Sequence, residues 1–179
     1  VFWAAFTMFA ATTASILSGS LINTQIVTPP GEENRVDFLR RIAAATALPS
    51  LRELEDLWLN LMIEINHDSE TVRYTAPVLQ TDGVTVEPTE VVRFGSFGAI
   101  GDGVYLGYLP NTNMLFKLTR QPPESWMMDL AEDIQAHTSG TGYVPAVMDA
   151  SHGPLMNLYV LRPDMIERIN TGDVVPYVI

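Results

Sequence analysis

The chain has 179 residues, of which 47% are hydrophobic and 17% are charged. A chain of this length and composition can bury a sizeable core, and it is neither disordered nor membrane-embedded throughout. Twenty-one acidic residues against ten basic ones give a net charge of −11. This balance argues against binding to nucleic acid, because a phosphate backbone requires a basic face. Cysteine is absent, which excludes disulfides and thiolate metal sites.

The first thirty-one residues carry no charge. A signal peptide has a basic segment ahead of its apolar core, and a membrane-spanning helix has positive residues at its ends, so this stretch matches neither pattern. Four aromatic residues recur here at helical spacing, namely Phe2, Trp3, Phe6 and Phe9. We therefore predict an amphipathic helix that packs on the domain or on a neighbouring chain, with these four residues as candidates for a partner interface.

Two more helices are predicted in the helical segment that covers residues 1–68. The first runs from about Arg35 to Ala47 and stops at Leu48-Pro49. The second begins at Ser50, which forms a capping-box pattern with Glu53. One side of this second helix is an apolar stripe. The stripe consists of Leu51, Leu54, Leu57, Trp58, Leu61, Met62 and Ile65.

From residue 69 the hydrophobic period changes towards two, which indicates strands. Turn signals such as Asp82-Gly83 separate runs that are rich in Val, Tyr, Thr and Phe. The runs are Thr71–Leu79, Val84–Phe97, Val104–Leu109 and Met114–Thr119. They predict an antiparallel meander of about four strands, with the long second strand bent at Gly95 and with Pro88 at an edge or bulge.

Short helices are predicted after the strands. One runs from Glu124 to His137, and another begins at Pro154, is interrupted at Pro163 and ends at Gly172. The predicted fold class is α+β, in which residues 69–179 pack with the helical segment as one unit.

Catalytic and metal-binding patterns are weak. No two of the three histidines stand at metal-ligand spacing. Ser151 beside His152 suggests a nucleophile and a base, although a turn ahead of the last helix explains both residues. The glycines between Gly98 and Gly103 fit a hairpin turn better than a phosphate loop, because no Lys-Ser or Lys-Thr pair follows them. We predict no catalytic residue, no cofactor and no metal.

Aromatic residues are frequent in the predicted strands. They could stack on a ligand, but cross-strand packing explains them better because no basic rim surrounds them. Two of them, Tyr105 and Tyr108, are further candidates for a partner interface.

Several short motifs follow one another in an order that resembles a known family. They are Ser20–Gln25, Phe38–Arg40, Leu48–Ser50, Leu54–Trp58, Val91–Phe97, Asp102–Pro110, Leu118–Pro122, Asp149–Leu155 and Arg162–Gly172. Together they are similar to the periplasmic region of TonB-system transport protein C, in which a periplasmic extension is fused to a proton channel of the MotA/TolQ/ExbB type. This chain departs from the family pattern in its charge-free first helix, in Ala150 where proline is usual and in Pro176 where glycine is usual.

The resemblance implies a periplasmic domain of an inner-membrane motor in a Gram-negative bacterium, where the proton gradient drives a TonB-like protein that powers outer-membrane uptake. It implies ExbD-like and TonB-like partners and a pentamer of the full-length protein. The C-terminal helices would lead towards a membrane helix beyond Ile179, and the proton-conducting residues would lie in such helices. Because the chain starts at Val1 and ends on an apolar run, we expect it to be part of a longer polypeptide.

The expected function is therefore a non-enzymatic scaffold or partner-binding domain. Two alternatives stay open at this point. One is a periplasmic ligand-binding or cell-wall-binding module with an aromatic pocket between the sheet and the helix at Trp126. The other is a hydrolase that uses Ser151 and His152.

Overall fold

The computed structural model describes residues 2–26, 28–29, 31–137, 142–151, 156 and 158, without the side chain of Phe2. Within these residues the helices are α1 (Phe2–Ser18), α2 (Arg35–Ala44), α3 (Leu51–Asp68) and α4 (Ser125–Ala136), and a 3-10 turn covers Leu21–Thr24. The strands are β1 (Thr71–Leu79), β2 (Val86–Phe94), β3 (Gly98–Gly101), β4 (Val104–Leu109) and β5 (Met114–Lys117). The predicted α+β class, with helices first, strands next and a helix after them, is confirmed.

The predicted C-terminal helical stretch from Pro154 to Gly172 lies outside the described residues, apart from Met156 and Leu158. Among the helices that the structure describes, none combines the length and the apolar character needed to cross a membrane.

The first helix packs on the domain. On one side of α1, Phe6 and Leu17 contact Phe38 and Leu39 of α2 in a single apolar cluster. The side chain of Asn34 caps α2 by accepting hydrogen bonds from two backbone N–H groups in its first turn. Burial of one face of α1 against α2 explains how a helix without charges is held in place.

The third helix begins as the sequence predicts. The Ser50 hydroxyl accepts a hydrogen bond from the Glu53 N–H (3.2 Å), and the Glu53 carboxylate accepts one from the Ser50 N–H (2.8 Å). This reciprocal capping box satisfies two of the N–H groups that a helix start leaves unpaired. Of the eighteen residues of α3, all of which the structure describes, only Leu57 is fully buried.

Within the predicted strand Val84–Phe97, β2 ends at Phe94 and a tight turn follows, so the prediction of one strand bent at Gly95 was wrong. The glycine run predicted as a hairpin turn begins with a strand, because β3 covers Gly98–Gly101 and the turn is confined to Asp102-Gly103. Gly95 has a φ of +55°, and its N–H donates to the Glu70 carbonyl (2.9 Å). A Cβ at this position would lie 2.3 Å from the Asp68 carbonyl oxygen. Glycine is required here because the chain turns in a left-handed conformation directly against the end of α3.

The strands form a closed five-stranded barrel in the order β1-β2-β3-β4-β5, which corrects the predicted meander of about four strands. Consecutive strands are antiparallel, whereas β1 and β5 pair in parallel through Val78 opposite Leu115 and Leu79 opposite Phe116. Five alternating strands leave the first and the last pointing the same way, so closure has to be parallel. Where β1 and β5 pair, neither strand is left with the exposed edge that it would have in an open sheet.

Pro88 lies at an edge, as predicted. It stands opposite Pro77 in the β1–β2 pairing, while the pairing of β2 with β3 begins only at Val91. A proline is tolerated here because no neighbouring strand needs its N–H.

Alternate residues of the strands face two different cores. One set comes from all five strands and forms the barrel interior together with Leu21 from the 3-10 turn. The other set, which includes Val92 and Ile100, packs under Met127 and Ile134 of α4. The period of two in the sequence therefore reflects burial on both sides of the sheet. The resulting order is a helical layer of α1, α2 and α3, then the barrel, then α4.

Candidate functional site

Six polar side chains connect the helical layer to the barrel, and we call them the polar junction. Three are consecutive residues at the end of the 3-10 turn, and three come from strands β1, β2 and β4. They are Asn23, Thr24, Gln25, Tyr74, Arg93 and Tyr108. Each residue of the first set makes a hydrogen bond to one residue of the second set.

Two of these three hydrogen bonds join a side chain of the 3-10 turn to a tyrosine hydroxyl. The Thr24 and Tyr74 hydroxyl oxygens are 2.5 Å apart, and Asn23 Nδ2 donates to Tyr108 Oη at 3.3 Å. Burial raises the pKa of the Tyr74 hydroxyl, while its hydrogen bond to Thr24 acts in the opposite direction. Buried hydroxyls need such partners, because an unpaired one costs about 1–3 kcal/mol.

Arg93 is the central residue of the polar junction, and its side chain is fully buried. Nη2 donates to Gln25 Oε1 (2.6 Å), and Nη1 donates to the carbonyl oxygens of His67 (3.1 Å) and Gly95 (2.5 Å). Burial lowers the pKa of this guanidinium. Since the His67 carbonyl belongs to the last turn of α3, the positive charge also faces the negative end of that helix. Arg93 thereby ties α3 to the barrel.

An ion pair between α2 and α3 extends this connection. Arg35 pairs with Glu64, and both side chains are largely buried. Arg35 Nε also donates to Asn23 Oδ1 (2.6 Å), which joins the pair to the polar junction. The helical layer is thus fixed on the barrel by charged and polar contacts that hold its outward faces in a defined orientation.

The aromatic residues predicted for a partner interface in α1 face different directions. Trp3 and Phe6 stack with ring centroids 5.9 Å apart, and Phe6 is buried in the contact with α2. Phe9 is half exposed on the outer side of the helix. The side chain of Phe2 lies outside the described residues. Among the described members of this set, Phe9 is the one that presents a large surface to solvent.

The two tyrosines predicted for the interface are not brought together. Tyr105 is buried beneath α4, where its hydroxyl donates to the Met127 carbonyl (3.1 Å) and burial raises its pKa. Tyr108 is half-buried in the polar junction, and its hydroxyl donates to Asn113 Oδ1 (2.5 Å). Both tyrosines therefore make contacts within the chain. The sequence did not indicate the hydrogen-bond partners of their hydroxyl groups.

The described residues contain no group of three or more His, Asp or Glu side chains that could hold a metal ion. The Ser151 N–H and hydroxyl both donate to Asp149 Oδ1, at 2.8 and 2.5 Å, and the other oxygen of Asp149 accepts from the Met156 N–H. This is the turn that the sequence predicts for the segment. His152, the suggested base, lies outside the described residues.

A cavity of about 240 Å³ lies between strands β1 and β2, the end of α4 and the segment 144–148. Its apolar lining includes Val92 and Ile134, and Phe94 is the one aromatic residue in it. Trp126 is exposed and does not line the cavity. Arg73 at the rim donates to three carbonyl oxygens in and just after the last turn of α4. Thr71 and His137 also line the cavity, so its lining is partly polar.

An exposed apolar surface lies on one side of α3, and we call it the α3 seam. It consists of Leu51, Leu54, Trp58, Met62 and Ile65. Leu51 is 73% exposed, Trp58 and Ile65 are each 61% exposed, and Leu54 is 37% exposed. Leu51, Trp58 and Ile65 follow one another at seven-residue spacing, which is the pattern of a coiled-coil contact. On a surface helix, polar residues normally occupy the solvent-facing positions that these apolar residues occupy here.

The outer face of α1 is a second exposed apolar surface. It carries Met8, Phe9 and Ile16, all of them exposed, and the helix contains no charged residue. A helix that is apolar on both sides is usually covered on both sides. Its inner side is covered by α2, and its outer side is open to a neighbouring protein.

Comparisons with protein-family models, with curated proteins and with solved structures give no match for this chain. A conclusion about function therefore depends on the geometry above and on the motifs in the sequence. In its described part, the chain has exposed apolar faces on α1 and α3. Polar contacts connect the helical layer to the barrel.

Proposed function

We propose that this chain is a periplasmic, non-enzymatic partner-binding domain of an inner-membrane proton-channel subunit of the MotA/TolQ/ExbB type, which energises TonB-dependent outer-membrane transport. The observation that carries the proposal is the charge-free outer face of α1, with Met8, Phe9 and Ile16 exposed. Apolar patches of this kind on a soluble domain mark sites of protein contact. The ordered motifs supply the class of machine.

The motif residues support the proposal through their structural roles. The motif Ser20–Gln25 supplies three members of the polar junction, and Val91–Phe97 supplies Arg93 and the turn at Gly95. These residues join the two layers of the fold, so a protein that shares them is expected to share the architecture. The step from architecture to function is made by analogy with the family.

In this proposal the domain acts on the periplasmic side of the inner membrane of a Gram-negative bacterium. Five copies of the full-length protein surround a channel whose membrane helices follow Ile179, and α1 contacts a neighbouring subunit. ExbD-like and TonB-like proteins are the partners. The conducting residues belong to the membrane helices, and the domain supplies contacts.

The reading frame that contains this chain tests the proposal directly. We expect at least three apolar helices of about 20 residues each to be encoded after Ile179. We also expect native mass spectrometry of the full-length protein, purified with its ExbD-like partner, to show five copies. A stop codon near Ile179, or a full-length protein without membrane helices, would refute the proposal.

A transport assay tests the role of α1. In a strain that lacks the gene, the full-length protein should restore TonB-dependent uptake of a ferric siderophore. Ile16→Glu should reduce that uptake because it places a charge on the contact face. Val84→Glu is the matched control, since Val84 is an exposed apolar residue in the turn between β1 and β2. Equal uptake with both variants would remove α1 from the proposal.

A further inference from the structure

We infer that the α3 seam is a self-association surface, on which a second copy of this chain binds through its own α3 seam in antiparallel orientation. The two-fold axis of this pair passes beside Trp58. The inference does not depend on the proposed function, because it uses only the surface of the described residues.

The seam is separate from the side of α3 that packs on the chain itself. Leu57 and Leu61 face the cluster formed by α1 and α2. On a helix with about 100° per residue, the seam residues occupy an arc of roughly 80°, centred about 80° away from that packed side. The apolar arc of α3 is therefore about twice as wide as its contact with the rest of the chain requires, and the outer half is left exposed.

The spacing of the seam is self-complementary. Leu51 and Ile65 each lie seven residues from Trp58, and Leu54 and Met62 each lie four residues from it. An antiparallel pair centred on Trp58 therefore places Leu51 opposite Ile65 and Leu54 opposite Met62, with the two indoles in contact at the centre. Each copy contributes the same patch, which is the property of a two-fold interface.

The antiparallel pair accommodates the charged residue beside the seam. Glu55 flanks the seam on its solvent side, and the exposed Arg52 lies farther around the helix. In the antiparallel pair, Glu55 lies near Met62 of the other copy.

The exposed area fits a weak, specific dimer. From their exposed fractions, the seam residues offer on the order of 500 Å² per copy, below the ~800 Å² per partner of a standard interface. An interface of this size with a central tryptophan is expected to have a dissociation constant on the order of 10 μM. In the pentamer proposed above, five copies cannot all pair two by two, so the contact would connect copies of different rings.

Sedimentation equilibrium of the 179-residue chain tests the inference. Between about 1 and 100 μM the mass should rise from that of a monomer towards that of a dimer. Trp58→Glu and Ile65→Glu should each raise the dissociation constant at least about thirtyfold, because each places a charge in the centre or at the end of the seam. Val84→Glu is the matched control, since Val84 is an exposed apolar residue in the turn between β1 and β2, and it should change the constant less than about twofold. Circular dichroism checks that each variant is folded.

Cross-linking tests the orientation, and the absence of cysteine from the chain makes it clean. Leu51→Cys and Ile65→Cys place thiols at the two ends of the seam, about 21 Å apart along the helix. A mixture of the two variants should form a disulfide-linked dimer, whereas each variant alone should not, because the antiparallel pair separates identical positions.

Four outcomes would overturn the inference. They are a monomer at all concentrations up to about 100 μM, equal loss of the dimer in Val84→Glu and in Ile65→Glu, efficient cross-linking of Leu51→Cys with itself, and a monomer that binds the ExbD-like partner through Trp58. None of the first three would bear on the reading frame after Ile179, so failure here is distinguishable from failure of the proposed function.

Discussion

Apolar side chains of the barrel are buried, whereas those along one side of helix α3 are largely exposed. In the barrel, residues from all five strands meet in one interior cluster, and the other side of the strands packs under α4. On α3, four of the five seam residues are exposed. Both elements have regular apolar patterns in the sequence. The difference shows that a regular pattern predicts which side of an element is buried, but not whether this chain or another one covers it.

The polar junction explains why the exposed side of α3 keeps its orientation. Arg93 holds the carbonyl oxygen of His67 at the end of α3, and Arg35 pairs with Glu64 farther along the helix. Both contacts lie on the inner side of the helix. The barrel therefore fixes the position of the helical layer, and the helical layer carries the exposed apolar surfaces.

The largest predicted effect compares two isoleucines. Ile100 is fully buried between the barrel and α4, whereas Ile65 lies in the α3 seam. We expect Ile100→Ala to lower the free energy of unfolding by about 4 kcal/mol, because a buried cavity is left behind. Ile65→Ala should change it by less than about 0.5 kcal/mol in dilute solution. Urea unfolding at about 1 μM protein measures both, and similar losses would contradict the distinction.

The second prediction concerns the connection between the two regions. Arg93→Met removes the donors that serve Gln25 and the carbonyl oxygens of His67 and Gly95. We expect a loss of about 3 kcal/mol, because buried acceptors are left without partners. Arg52→Met is the matched control at an exposed arginine and should change stability by less than about 0.5 kcal/mol. Equal stability of the two variants would show that the polar junction does not hold the layers together.

The third prediction tests one hydrogen bond of the polar junction. Tyr74→Phe removes the hydroxyl that contacts Thr24 but keeps the ring. The free energy of unfolding should fall by about 1 kcal/mol. Tyr143→Phe removes the hydroxyl of a fully exposed tyrosine, and no measurable change is expected there. Thermal unfolding followed by circular dichroism gives the comparison, and an unchanged midpoint for Tyr74→Phe would count against this contact.

The smallest predicted effect is a pH dependence at the start of α3. The hydrogen bonds from Arg41 and Ser50 lower the pKa of the Glu53 carboxyl from 4.5 to about 2. Because the folded-state pKa is the lower one, the stabilisation is present above about pH 4.5 and is lost as the pH falls towards 2. Between pH 6 and pH 3, the midpoint of thermal unfolding should therefore fall slightly more in the wild-type chain than in Glu53→Gln. Identical pH dependence of the two proteins would contradict this assignment.

Local signals in the sequence were sufficient for much of the fold. Ser50 and Glu53 predicted the start of α3, and the predicted bounds of β1 and β4 agree with the structure. A capping box, a period of two and an Asp-Gly turn all act within a few residues. Such features can be predicted from one sequence because the interactions that produce them are equally local.

The errors arise where distant residues decide the structure. The turn at Gly95 is fixed by contacts with Asp68 and Glu70, and closure of the barrel depends on the pairing of Val78 with Leu115. Arg93 stands in an apolar run, which is the one signal that could have indicated a buried arginine. For the candidate surface, the sequence predicted the apolar stripe of α3 but not which half of it remains uncovered.

Hydrogen exchange at two protein concentrations tests the central claim, that the barrel is complete in one chain and α3 is completed by a second copy. On going from about 1 to about 100 μM, backbone amides between Leu54 and Ile65 should exchange more slowly, while those of the barrel strands should be unchanged. Trp58→Glu should abolish the difference. Exchange in α3 that does not depend on concentration, or an equal slowing in the barrel, would contradict the claim.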